Sequence, residues 1–173
     1  MKLALDVHYD EAPGRSSAAG VLFGDWTDAA ASETFAEVTS IASPYIPGEF
    51  FRRELPCLLS IIEPVRARVA LETVIVDGYV DLGAGRPGLG RYLFEALDKA
   101  VRVIGVAKTH FAGSEGIAIT RGQSATPLWI TASSDAARAA DAICTMHGPY
   151  RIPTLLKRVD QLARAGLSAA AAT

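Results

Sequence analysis

The hydrophobic period of the chain changes once, near residue 50, and that change decides the fold class. Before it come three segments of strand character. Residues 2–9 (KLALDVHY) place Leu3, Leu5, Val7 and Tyr9 on one face and Ala4, Asp6 and His8 on the other. Residues 17–24 (SAAGVLFG) and 33–42 (ETFAEVTSIA) follow, separated by a polar stretch around Asp25 to Asp28. With a turn at Pro13–Ser16 and short connections, these predict an antiparallel meander. After the change, Phe51, Leu55, Leu58, Leu59, Ile62 and Val69 recur at helical spacing, with Pro64 expected to kink or end the helix.

Further on, 71–77 and 101–106 read as strands and 89–100 as the helix between them. Short strands are predicted at 116–120 and 127–131, and helices over about 134–146 and about 153–165. The Ala-rich tail Ser168–Thr173 is expected to fray. An antiparallel three-strand start followed by helices alternating with parallel strands is an α/β layout, a central mixed sheet flanked by helices. Without an internal repeat or a linker, residues 1–173 read as a single domain.

A hydrophobic fraction of 50% over 173 residues excludes a disordered chain. Seventeen basic against nineteen acidic residues leave a net charge of −2, which disfavours electrostatic coating of nucleic acid. An enzyme that grips a few phosphates through metal ions stays allowed. Cys57 and Cys144 have no metal-knuckle spacing, and His8, His110 and His147 form no zinc pattern. The N-terminal apolar run is short and broken by Asp6, and no stretch approaches the roughly 20 apolar residues that span a bilayer. The expectation is a cytoplasmic protein with no membrane partner and no obligate protein partner.

Three carboxylates sit where an acid is costly. Asp6 interrupts the first strand, Asp77 ends the apolar strand TVIV, and Glu54 flanks the buried stripe of the long helix. Carboxylates converging in a partly dry site repel one another and call for a cation, and oxygen-only ligation suits Mg²⁺ or Mn²⁺. Such ions activate water and stabilise the leaving oxygen in phosphodiester cleavage. Lys108, just past the strand VIGV, stands where a lysine neutralises charge on a phosphate. The ordinary alternatives stay open: Asp6 facing solvent, Asp77 capping a turn, Glu54 paired with an arginine, Lys108 lying along the surface.

Two loops have distinctive composition. Gly83-Ala84-Gly85-Arg86-Pro87-Gly88 matches G-x-G-x-x-G in form, but it begins six residues past Asp77 and contains a proline, so it reads as a flexible Gly-rich loop. Ser43-Pro44-Tyr45-Ile46-Pro47-Gly48 is stiffened by two prolines and presents Tyr45, either as a wedge between bases or as a cover for the core.

Taken together, LDVHY (5–9), PYIPGEFFRRE (44–54), VDG (76–78), IGVAK (104–108), PLWIT (127–131) and YRIP (150–153) resemble the endonuclease V family in order and spacing. The resemblance covers nearly the whole chain. It implies an RNase H-like fold and a Mg²⁺-dependent nuclease, with Mn²⁺ as a substitute, acting on DNA or RNA that contains a deaminated purine, chiefly inosine. The bond cut would be the second phosphodiester 3′ to the lesion. By motif, Asp6, Asp77 and Glu54 would hold the metal, and Lys108 would assist at the scissile phosphate. Tyr45, Ile46, Pro47 and Gly48 would form a strand-separating wedge, with Arg53 and Gly78 also on the nucleic-acid side.

The chain departs from the family in two places. The segment DGYVDLGAGRPGLGRYLFEALD lacks the histidines that family members carry after DG, with Tyr92 where the later one is expected. Ser133-Ser134-Asp135 replaces the Gly-His-Arg that commonly follows PLWIT. Ser133 or Ser134 is read as a helix N-cap, with Asp135 as the other candidate ligand. These departures imply altered base specificity. The rival reading is a catalytically inactive nucleic-acid-binding or interaction protein that kept the fold.

Overall fold

The computed structural model describes residues 1–10, 14–40 and 51–171, apart from the side chains of residues 170 and 171. Three strands open the chain: β1 (Lys2–Asp10), β2 (Arg15–Phe23) and β3 (Glu33–Ser40). There follow α1 (Phe51–Arg66), β4 (Thr73–Asp77), α2 (Leu89–Ala96), β5 (Arg102–Ala107), β6 (Ile117–Ile119), β7 (Leu128–Ala132), α3 (Ala136–Thr145) and α4 (Thr154–Ala171). The strands form one sheet in the order β3-β2-β1-β4-β5-β7-β6. The meander is antiparallel as predicted, and β1, β4 and β5 run parallel. Beyond β5 the sheet turns antiparallel again, because the chain between β5 and β7 holds no crossover helix.

Strand alternation sorts the core into two layers. Leu3, Leu5, Val74, Val76 and Val103 face α1 and α2, packing with Leu58, Ile61, Ile62 and Leu93. Ala4, Ile75, Ile104 and Val106 face α3 and α4, packing with Ile143, Leu155, Val159 and Ala163. Each fully buried aliphatic side chain contributes about 1.5–3 kcal/mol, so neither layer is dispensable. By the same alternation Asp6 follows Ala4, Asp77 follows Ile75 and Lys108 follows Val106 toward the α4 side. Helix α4 lies close to the sheet because Gly166 meets β2. A Cβ there would stand 2.2 Å from the Ser17 hydroxyl.

Several boundaries differ from the sequence expectation. Helix α1 runs through Pro56 and Pro64 to Arg66, so Pro64 does not end it. Pro64 is exposed, while Leu58, Ile61, Ile62 and Val65 anchor the turns around it in the core. Helix α2 stops at Ala96, short of residue 100, because Asp98 and Lys99 take left-handed backbone (φ 53° and 60°) to turn the chain into β5. Helix α4 continues past residue 165 to Ala171, so most of the expected tail is helical. Among the described residues, no helix is long and apolar enough to cross a membrane.

Candidate active site

The site is built at the C-terminal ends of the parallel strands, where open α/β sheets place their ligands. The register pairs Leu5 with Val76, so Asp6 and Asp77 are the next residues along two neighbouring strands. Asp77 pairs with Val106, and Lys108 lies two residues further along β5's path. The Lys108 ammonium is 2.6 Å from the Asp77 carboxylate and 3.8 Å from Asp160 on α4. Asp160 is held in turn by Arg164, one helical turn on, at 3.0 and 3.2 Å. From the opposite layer, Glu54 stands in the first turn of α1, near enough to Asp6 and Asp77 for their charges to act on its carboxyl.

The electrostatics show that these groups share one field. Burial, and then the charges of Asp77 and Asp160, push the Asp6 carboxyl up to about 6, against the pull of Lys108 and the Val7 amide. Burial, and then Asp6 and Asp77, push Glu54 up to about 8, with Arg53 opposing. Desolvation draws Lys108 down, but its hydrogen bond to Asp77 and the charges of Asp77, Asp160 and Asp6 together outweigh it, and the ammonium is held above its ordinary range. The hydrogen bond from Arg164 leads the causes that keep Asp160 below the usual carboxylate range. Asp6 and Glu54 therefore carry a cost that Lys108 and Arg53 only partly offset.

Whether these residues suit a divalent cation is a question of donor chemistry. Among the described residues, no three His, Cys, Asp or Glu groups stand close enough as placed to enclose an ion. The donors are all carboxylate oxygens, which hard cations prefer. The cluster already holds one cation, the Lys108 ammonium bridging Asp77 and Asp160. A second positive charge would lower the cost at Asp6 and Glu54. The set fits.

Asp160 is the residue that the sequence reading missed. It sits within an amphipathic helix, paired to Arg164 at the ordinary i,i+4 spacing, and nothing local marks it as part of a distant cluster. The alternation that put His8 beside Asp6 did point to this face, and the imidazole charge of His8 is felt at Asp160. Arg53 is buried, its guanidinium 4.7 Å over the Tyr9 ring, so it braces the turn that carries Glu54. Gly78, directly after Asp77, adopts φ 122° and donates its N–H to the Val106 carbonyl at 3.2 Å. Tyr45, Ile46, Pro47 and Gly48 lie outside the described residues.

The two departures also have structural accounts. The N-cap of α3 is Asp135, whose carboxylate accepts the Arg138 N–H at 3.0 Å; Ser133 instead accepts the Val103 N–H at 3.0 Å. Asp135 thus replaces the serines as the cap. The Gly-rich loop closes as a tight hairpin rather than a loose loop. Arg86 N–H bonds to the Gly83 carbonyl at 3.0 Å across Ala84 and Gly85, both at positive φ, and Leu82 N–H bonds to the Arg86 carbonyl at 2.9 Å. Tyr79 locks a second loop beside it, donating to the Thr109 carbonyl at 2.7 Å and accepting the Phe111 N–H at 3.0 Å.

A mixed sheet of this order, with carboxylates from β1 and β4 at its parallel centre and helices reaching over from both layers, defines an RNase H-like α/β domain. The endonuclease V profile matches residues 3–147. An endonuclease V of Streptomyces coelicolor is 30% identical over 189 aligned positions, covering 96% of this chain and 79% of the relative. The solved endonuclease V of Streptomyces avermitilis superposes with a TM-score of 0.78 at 23% identity, covering 98% of this chain and 82% of that one. A Ciona intestinalis endonuclease V, in complex with a 23mer DNA containing an inosine followed by a ribo-adenosine, superposes with a TM-score of 0.80 at 15% identity, covering 96% and 85%. The chain belongs to the endonuclease V family, a family of divalent-metal-dependent nucleases.

Proposed function

We propose that the protein is a Mg²⁺-dependent endonuclease, with Mn²⁺ as a substitute, that hydrolyses a phosphodiester bond 3′ to inosine in DNA or RNA. The observation that carries this reading is the shared field of Asp6, Asp77 and Glu54, three carboxylates from three elements of a chain in the endonuclease V family. Asp6, Asp77 and Glu54 hold the cation, and Asp160 borders the same site. When bound, such an ion lowers the pKa of a water and stabilises the leaving oxygen.

The chain's own residues do the rest. Glu54, whose carboxyl is pushed up to about 8 by burial and by the charges of Asp6 and Asp77, would have to be deprotonated to serve as a ligand. The Lys108 ammonium, held at the end of β5, faces the developing negative charge on the scissile phosphate. Arg53 keeps Glu54 in place from beneath. Tyr45, Ile46, Pro47 and Gly48 act as the wedge at the lesion, and Gly78 lets the strand approach next to Asp77. The histidine-free hairpin and the locked Tyr79 loop border the base, so the base preference departs from that of relatives bearing the histidines.

The test is cleavage of a labelled strand bearing one inosine, in single- and double-stranded DNA and in RNA, with Mg²⁺ or Mn²⁺. Cutting one nucleotide beyond the inosine, lost in Asp77→Asn, is the expected result. Equal cutting of an undamaged control would keep the nuclease and remove inosine recognition. No cutting of any strand with either metal would leave the fold with a binding role.

A further inference from the structure

Between α4 and the sheet, beside the carboxylates, lies a cleft of about 580 Å³. That volume is in the range of sites that enclose small molecules. Its buried walls on the α4 face are apolar: Ile75, Val106 and Val159. Asp6, Asp77 and Lys108 stand at one side of it, so whatever enters the cleft lies against the site of cleavage. Arg151, Lys157 and Arg164 line it as well. Arg164 is engaged by Asp160 and Arg151 by the Lys108 and Pro127 carbonyls, while Lys157 stands beside the Tyr150 ring. An apolar slot with a carboxylate cluster on one side and a lysine at its rim suits a planar base whose flanking phosphates stay outside.

Tyr150 marks the rim. It is 68% exposed, the most exposed of the large apolar side chains among the described residues, and the Lys157 ammonium stands 5.9 Å from its ring centre. A single exposed aromatic is ordinarily unremarkable. This one is held on a backbone clamped from within. The buried Arg121 guanidinium donates to the carbonyls of Tyr150 at 2.8 Å, Gly148 at 3.3 Å and Met146. The ring is thus presented at low further entropic cost, as a stacking platform requires.

We infer that this cleft takes one unstacked nucleobase of the substrate strand, next to the bond that is cut, with Tyr150 stacking at its rim and Lys157 on a neighbouring phosphate. The inference rests on the nuclease reading above. Base–aromatic stacking is sequence-tolerant, so the site accepts any base and is separate from lesion recognition.

The experiment measures binding rather than cutting: fluorescence anisotropy of a labelled single strand with one inosine, with Ca²⁺ in place of Mg²⁺. Single abasic sites are placed in turn at each of several positions 3′ and 5′ of the inosine. Loss of one particular base is expected to weaken binding about tenfold. Tyr150→Ala should cost about the same on the intact strand and nothing further on that abasic strand, while Tyr150→Phe binds normally. Leu156→Trp, which fills the cleft, should behave like Tyr150→Ala. Equal affinity for all abasic strands overturns the inference, as does a Tyr150→Ala loss that no abasic position cancels. If wild-type protein cuts the strand but the abasic series is flat, only the cleft assignment falls; if it neither binds nor cuts any strand, the nuclease reading falls with it.

Discussion

Asp6 and Glu54 each place a negative charge where water reaches it poorly and a like charge is close, and the folded protein bears that cost. Asp6 titrates near 6 instead of 3.8, and Glu54 near 8 instead of 4.5. Both shifts are upward, so the folded state retains protons that the unfolded chain has already released. Their contribution to stability is complete below about pH 4 and is lost as pH rises through about 6 and then about 8. At about 1.4 kcal/mol for each pH unit of displacement, the two groups together account for several kcal/mol. In EDTA, Tm should therefore fall between pH 5 and pH 8.5. At pH 8, Asp6→Asn and Glu54→Gln should each raise Tm by about 5 °C while abolishing cleavage. A thermal melt series in EDTA checks this; a flat pH profile, or variants that melt below wild type, would refute it. The cost at these two positions was legible in the sequence, as an acid inside a strand and an acid beside an apolar stripe. Its partner Asp160 was not, because an Asp four residues before an Arg is an ordinary surface helix pair.

The loop before α4 is organised by one side chain. Arg121, 7% exposed, donates to the carbonyls of Cys144, Met146, Gly148, Tyr150 and Arg151. Arg151 then donates to the carbonyls of Lys108 and Pro127, tying the end of β5 to the start of β7. Arg121→Met leaves several carbonyls buried without a donor and should cost about 3–5 kcal/mol. The measured effect would be a Tm loss of about 10 °C or more, with Arg121→Lys recovering only part, since an ammonium cannot span that many acceptors. A loss below 2 °C would show that the loop is held by other contacts. Such a device leaves no trace in sequence patterns, because its acceptors are backbone atoms. Strands and helices were legible because apolar residues recur at fixed periods, as in KLALDVHY. Their ends were less so: left-handed Asp98 and Lys99 stop α2, and packing carries α1 past Pro64.

At the scale of the whole molecule the site exists only where three layers meet. Asp6 and Asp77 come from the sheet, Glu54 from the helix layer on one face and Asp160 from the layer on the other. That convergence follows from the parallel centre of the sheet, which the order of strands and helices in the sequence had already implied. It also concentrates negative charge in a molecule whose net charge is −2, so the protein as a whole repels the polyanion it is proposed to cut. Lys108 and Arg164 are engaged with Asp77 and Asp160, which leaves few cations for phosphates near the site. Affinity for a strand must then depend on the bound cation and on a small number of contacts. Removing the metal with EDTA should weaken single-strand binding about 100-fold or more. With Ca²⁺ present, about three phosphate contacts would give log Kd a slope near 2 against log salt, in place of the steep dependence of an extended basic footprint. Anisotropy titrations from low to moderate KCl measure both quantities. Undiminished binding in EDTA, or a slope above about 5, would mean that a basic surface elsewhere on the molecule holds the strand.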